Sequence, residues 1–246
     1  YSAPVRGTRT TLLAGLMLAA LLPLISGCAG LSRRHAPPAA EEPLERVQAL
    51  LEAGEAAAAL AAYRDYLAPR PPSAENRLLL VRLLIQAGEP EEARSELDLL
   101  LGRWPRTVEA YLILAGLERA AGDAGGQQAA LDQALQLDPE NLEALCARGE
   151  LAAQVGDTAA ADLFGRALDM DPAHAPALRG LGALRLEQGR FPEAAELLDR
   201  ALAAEPEEPF AFVDRARARA GLGDLPGALA DLDEAIRLEP GPPWTY

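Results

Sequence analysis

Large and small apolar residues return along this chain at fixed distances from six glycines, Gly54, Gly88, Gly122, Gly156, Gly189 and Gly223. Nine residues after the glycine stand Tyr63, Leu97, Leu131, Leu198 and Leu232, with Phe164 at eight. Five after it come Ala59, Ala93, Ala161, Ala194 and Ala228, and twelve after it Ala134, Ala201 and Ala235, with Ala167 at eleven. Steps of three and four residues place all of these on one face of a helix. Eleven residues before the glycine come Tyr111, Leu145, Leu178 and Phe212, the large residues of a preceding helix. The pattern predicts pairs of helices whose alternating bulky and small contacts cannot be buried by one pair alone, so each pair needs a neighbour.

The punctuation agrees. The six glycines are 34, 34, 34, 33 and 34 residues apart, and Pro71, Pro105, Pro139, Pro172, Pro206 and Pro240 follow at 34, 34, 33, 34 and 34. Both series absorb one deletion in the fourth unit. Each glycine is expected to end a first helix in the left-handed conformation that other residues adopt only at a cost. Asp123, Asp157 and Asp224 follow three of them and are expected to cap the next helix, while Pro90, Pro192 and Pro226 fit its first turn. Asp138-Pro139 and Asp171-Pro172 read as the same cap-then-proline signal at the opening of the next unit. An all-α chain of about six antiparallel helical hairpins follows, over residues 44–240.

The first thirty residues break this pattern. Arg6 and Arg9 precede an apolar run, Leu12 to Ile25, interrupted only by Gly15 and Pro23. The run is shorter than the roughly twenty residues that span a bilayer, and the layout is that of a secretory signal. It closes on Leu24-Ile25-Ser26-Gly27-Cys28, which resembles the lipobox of bacterial lipoproteins. The resemblance implies a signal peptide at 1–27, cleavage before Cys28, and a lipid on its thiol. Ala29 after the cysteine, where an Asp would retain the protein at the inner membrane, implies the outer membrane, facing the periplasm. A plain cleavable signal, or an inner-membrane anchor running on to Leu31, is the alternative. Residues 28–43, with Arg33, Arg34, Pro37, Pro38 and Pro43, lack helical spacing and read as a tether; 241–246 form a tail.

Composition narrows the chemistry. Only 4% of residues are aromatic, all 23 bases are Arg, and the net charge is −14. A surface this acidic argues against nucleic acid as partner. Cys28 and Cys146 stand in no ligand spacing, and His35 and His174 are far apart, so no metal site, cofactor or catalytic triad is expected. Carboxylates are dispersed at solvating positions. The run Glu205 to Glu208 falls in a turn, and Trp104 and Trp244 read as packing residues.

The repeated large residue, Gly or Ala, Gly, Ala, aromatic or Leu, Ala and Pro resembles the tetratricopeptide repeat, over roughly residues 40 to 240. Units two, five and six fit best. Unit one carries Pro43 and Arg46 at expected apolar positions, and unit three has Gln127 where Ala is usual. The resemblance implies a right-handed superhelical solenoid, no catalysis, and a concave groove lined by the first helices that takes protein partners. Counting from Gly as position fifteen, the groove positions are Leu78, Leu79, Arg82 and Ile85; Glu109, Leu112, Ile113 and Arg119; Glu143, Cys146, Glu150 and Gln154; Arg179, Leu186 and Glu187; Phe210, Val213, Asp214 and Arg217. An apolar strip with flanking Arg suits a helix or an extended peptide. Equally, these apolar groups contact adjoining repeats and the Arg residues pair with local acids. The chaperone-binding clamp of Lys and Asn known in some members is missing. Six repeats behind a lipobox resemble, in layout, the tetratricopeptide pilotins of type IV pilus secretins and adaptors of cell-wall enzymes. A membrane-tethered scaffold for an envelope complex is the function this implies; a periplasmic carrier or enzyme accessory holding a small molecule or glycan is the alternative.

Overall fold

A computed structural model of the chain describes residues 42–239. Cys28, the expected signal, almost all of the expected tether, Pro240, the tail, His35 and Trp244 lie outside the described residues.

The described residues form twelve α-helices and no β-strand. They pair as α1 (Glu42–Glu52) with α2 (Ala56–Leu67), α3 (Ala74–Gln86) with α4 (Pro90–Arg103), and α5 (Val108–Ala121) with α6 (Ala124–Leu137). Then come α7 (Leu142–Gln154) with α8 (Ala160–Met170), α9 (Ala175–Glu187) with α10 (Phe191–Ala204), and α11 (Pro209–Gly221) with α12 (Leu225–Leu238). The chain divides into two compact units between Ala110 and Tyr111, inside α5.

The repeat's punctuation works as read at most positions. All six period glycines have φ between 70° and 85°, the left-handed conformation, and each ends a first helix. Asp123 accepts a hydrogen bond from the Gly126 N–H at 2.9 Å, and Asp224 from the Gly227 N–H at 3.0 Å, so both cap their helices. Pro90, Pro192 and Pro226 lie in first turns. Three signals read differently. Asp157 accepts from the Ala159 N–H at 3.0 Å and closes a turn, because the deletion in this unit delays α8 to Ala160. Asp138 and Asp171 end α6 and α8, and their carboxylates bond the N–H groups of Glu140 and Ala173 in the turn that follows. The cap of α7 is Asn141, which accepts from the Ala144 N–H at 2.9 Å.

In the first unit Val47, Ala59, Tyr63, Val81, Leu83, Leu84, Ala93, Leu97 and Leu100 are buried, and α1, α2, α3 and α4 pack in sequence. Burial of each Leu or Val contributes about 1.5–3 kcal/mol. Tyr63 keeps its hydroxyl satisfied by donating to the Asn76 carbonyl at 3.2 Å. The second unit is built the same way. Ala115, Ala130, Leu131 and Leu151 join α5, α6 and α7. Leu145, Phe164, Ala167 and Ala177 join α7, α8 and α9, while Leu186, Ala194, Leu198 and Ala218 join α9, α10 and α11. The shortened fourth unit buries Ala160, with Ala161 half-buried, since the deletion moves the small contact back by one residue.

Two carboxylates expected on solvated faces are buried, those of Glu118 and Asp231. Arg215 donates to both Asp231 oxygens, at 3.0 and 2.7 Å, and Arg219 lies 2.9 Å from Oδ1. Arg215 also donates to Asp199 at 2.7 Å, tying α10, α11 and α12 together.

Candidate functional site

Within the second unit the first helices α7, α9 and α11 pack side by side, which brings the same register position of successive repeats next to one another. The side chains on this layer meet as ion pairs. Arg179 of α9 donates to Glu150 Oε1 of α7 at 3.0 Å. Arg217 of α11 donates to Glu187 of α9 at 2.8 Å and to Asp214 at 3.3 Å. Arg179 and Glu150 are each about one-third exposed, and Asp214 is mostly covered.

Arg179 is the centre of this cluster. Burial raises the pKa of Asp214 above its ordinary 3.8, and the Arg179 and Arg217 charges only partly offset that. Burial likewise raises Glu208, against the pull of Arg179. Under them, Cys146 is buried and its thiol is pushed up to about 12, chiefly by burial and further by the Glu150 charge. One guanidinium thus bonds Glu150 and draws on two further carboxylates, Asp214 and Glu208, through its charge alone. With five N–H donors in a fixed plane it has the capacity to hold a carbonyl or carboxylate of an incoming chain as well. Beside the charges, Phe210 is 53% exposed and Val213 is half-buried.

The structure therefore brings Glu150, Arg179, Asp214 and Arg217 together, with Phe210 and Val213 on the same helix as the last two. Earlier in the second unit, Leu112 is half-buried, Ile113 belongs to the core, and Arg119 is exposed in the last turn of α5. In the first unit Leu78 is buried, while Leu79 and Ile85 are half-buried. Arg82 lies 3.6 Å from Glu109. Gln86, one residue on from Ile85, has both amide atoms buried with no hydrogen-bond partner. Glu208 was missed by the sequence reading, which placed it in an exposed acidic turn. Glu205 also precedes a proline, but it ends α10, whereas Glu208 is the residue that opens α11, with Pro209 in its first turn. Among the described residues no group of His, Cys, Asp and Glu is placed to hold a metal ion, and no helix is long and apolar enough to cross a membrane.

The sequence profile of the tetratricopeptide repeat matches residues 50–117 and 158–220. No curated protein matches the chain. Solved structures share its fold. The Pseudomonas aeruginosa protein PilF superimposes with a TM-score of 0.67 at 19% identity, over 83% of this chain and 93% of its own. PilW, a type IV pilus biogenesis factor, gives 0.63 at 23% identity, over 70% and 80%. YrrB, a repeat protein with an unusual peptide-binding site, gives 0.53 at 19%, over 73% and 93%.

Proposed function

Because the chain belongs to the tetratricopeptide repeat family, whose hairpins hold other proteins, we propose that it is a non-catalytic scaffold, tethered to the outer membrane by a lipid on Cys28. In this reading it holds a segment of a partner protein in a cell-envelope complex of the pilus or cell-wall type. The observation that carries the binding site is the layer of α7, α9 and α11. There a half-buried Arg179 bonds Glu150 and attracts the covered carboxylates of Asp214 and Glu208, and Phe210, on the same helix as Asp214, is exposed. A partner segment lays an apolar side chain on Phe210 and Val213 and a backbone carbonyl or carboxylate on Arg179. The tether rests on the Leu24 to Cys28 sequence and Ala29. The envelope complex is supported by likeness of fold to PilF and to PilW, a pilus biogenesis factor.

The test is capture from crosslinked envelopes of the full-length protein carrying a photo-crosslinker at Phe210, beside Arg179→Glu and Cys28→Ala variants, with membrane fractionation. The reading requires an envelope protein crosslinked at Phe210 and lost in Arg179→Glu. It also requires the Cys28→Ala protein to leave the outer-membrane fraction. Equal capture by the Arg179→Glu protein removes the groove assignment, and unchanged fractionation of Cys28→Ala removes the tether.

A further inference from the structure

In the second unit the packing of α10 shows what a covered second helix requires. Its register Phe191, Ala195, Leu198 and Leu202 is buried or half-buried, and Leu198 shares a cluster with Ala218 of the following first helix, α11. Beside Leu198, Asp199 accepts from Arg215 of α11 at 2.7 Å. The same pair occurs earlier, where Asp132 of α6 accepts from Arg148 of α7 at 3.0 Å. In both cases the Asp stands ten residues after one period glycine and the Arg eight residues before the next. This is a recurring joint between hairpins, with an apolar stripe and a carboxylate on one side and an Arg and a buried helix face on the other.

Each half of the joint recurs at one end of the described residues. On α12 the register reads Leu225, Leu229, Leu232 and Ile236, a better stripe than that of α10, and Asp233 stands where Asp199 does. Leu225 and Leu229 are each 62% exposed and Ile236 is 44% exposed, and Asp233 is exposed with no ion-pair partner among the described residues. An exposed helix face in a repeat array is ordinarily polar, and this one is apolar. On α1, Arg46 stands eight residues before Gly54 and Ala49 five before it, the places of Arg215 and Ala218 before Gly223. Ala218 is fully buried, whereas Ala49 is exposed, and Arg46 is exposed with no ion-pair partner among the described residues. The Arg that spoils the family pattern in the first unit is thus the one that the joint uses.

We infer that the chain associates head to tail with a second copy of itself, α1 of one copy lying over α12 of the next with Ala49 on Leu232 and Arg46 paired to Asp233. The two halves match in register, and at the joint's own position Arg46 meets Asp233 as Arg215 meets Asp199. Pairing α12 with α12 instead would offer Asp233 no Arg at the register position, since the one Arg of that helix, Arg237, already pairs with Glu234. The joint is heterologous, so it closes into rings or runs on as an open chain. It leaves the α7, α9 and α11 layer free, so it stands or falls independently of the proposed groove.

The test uses sedimentation of the full-length protein in density-matched detergent, with Asp233→Arg and Arg46→Asp variants whose fold is checked by circular dichroism. Wild type is expected to form species larger than a monomer as concentration rises, and each variant alone to lower the association constant by at least about tenfold. Mixing the two variants restores assembly, because the two reversed charges then pair at one joint while the native pair forms at the other. A monomeric wild type overturns the inference, and so does assembly that ignores both reversals. Assembly that appears only when residues 240–246 are deleted overturns it too, by assigning the stripe to the chain's own tail.

Discussion

Phe164, in the shortened fourth unit, lies against two glycines. A Cβ built on Gly180 would sit 2.4 Å from the ring, and one on Gly149 2.8 Å from it. Gly180→Ala is therefore expected to cost about 1–3 kcal/mol in chemical denaturation, an overpacking penalty where alanine in an exposed helix interior would stabilise. Gln86 presents the opposite case, a buried amide with neither atom bonded. Gln86→Met keeps the volume and removes the unmet polar atoms, so stability should rise by about 1–3 kcal/mol, read as a higher denaturant midpoint at constant slope. Asp231 is the third residue whose surroundings fix its effect. Its loss leaves Arg215 and Arg219 facing each other without their shared anion. Asp231→Ala should cost about 3–5 kcal/mol, measured as the shift in denaturant midpoint at constant slope.

At the scale of the helix, the boundary signals were legible where one residue does one job. Gly at the turn, Asp123 and Asp224 as caps, and Pro in a first turn all act through backbone geometry within four residues, which sequence displays directly. The misread signals, Asp138, Asp157 and Asp171, have the same side chain chemistry but serve turns, and only the length of the loop decides between the two uses. The groove cluster was legible as a set of positions and not as a set of contacts. The repeat count gives Arg179 its register position, but its pairing with Glu150 depends on how far α7 and α9 slide past each other, which the repeat period does not specify. The cluster predicts a pH effect. Asp214 has a raised folded pKa, so its ionised form is disfavoured on folding, and its neutral form is present in both states only below about 3.8. Stability from this group is therefore full at low pH and lost as pH rises through the folded value. Asp214→Asn should melt higher than wild type at neutral pH, with the gap closing as pH falls toward 4.

At the scale of the whole molecule, the buried Cys146 thiol provides a clock. Only the thiolate attacks maleimides and disulfides, and a thiol pushed up to about 12 in the hydrophobic cluster of α7, α8 and α9 is almost wholly protonated and shielded at neutral pH. Labelling of Cys146 in a Cys28→Ala background must then wait for these helices to part, and the rate divided by that of a free thiol gives the fraction of time they are open. Since a repeat array is stabilised through nearest neighbours, that fraction should drop when a ligand clamps α7 to α9 across Glu150 and Arg179. A single native sulfur thereby reports occupancy of the groove without any tag placed in it.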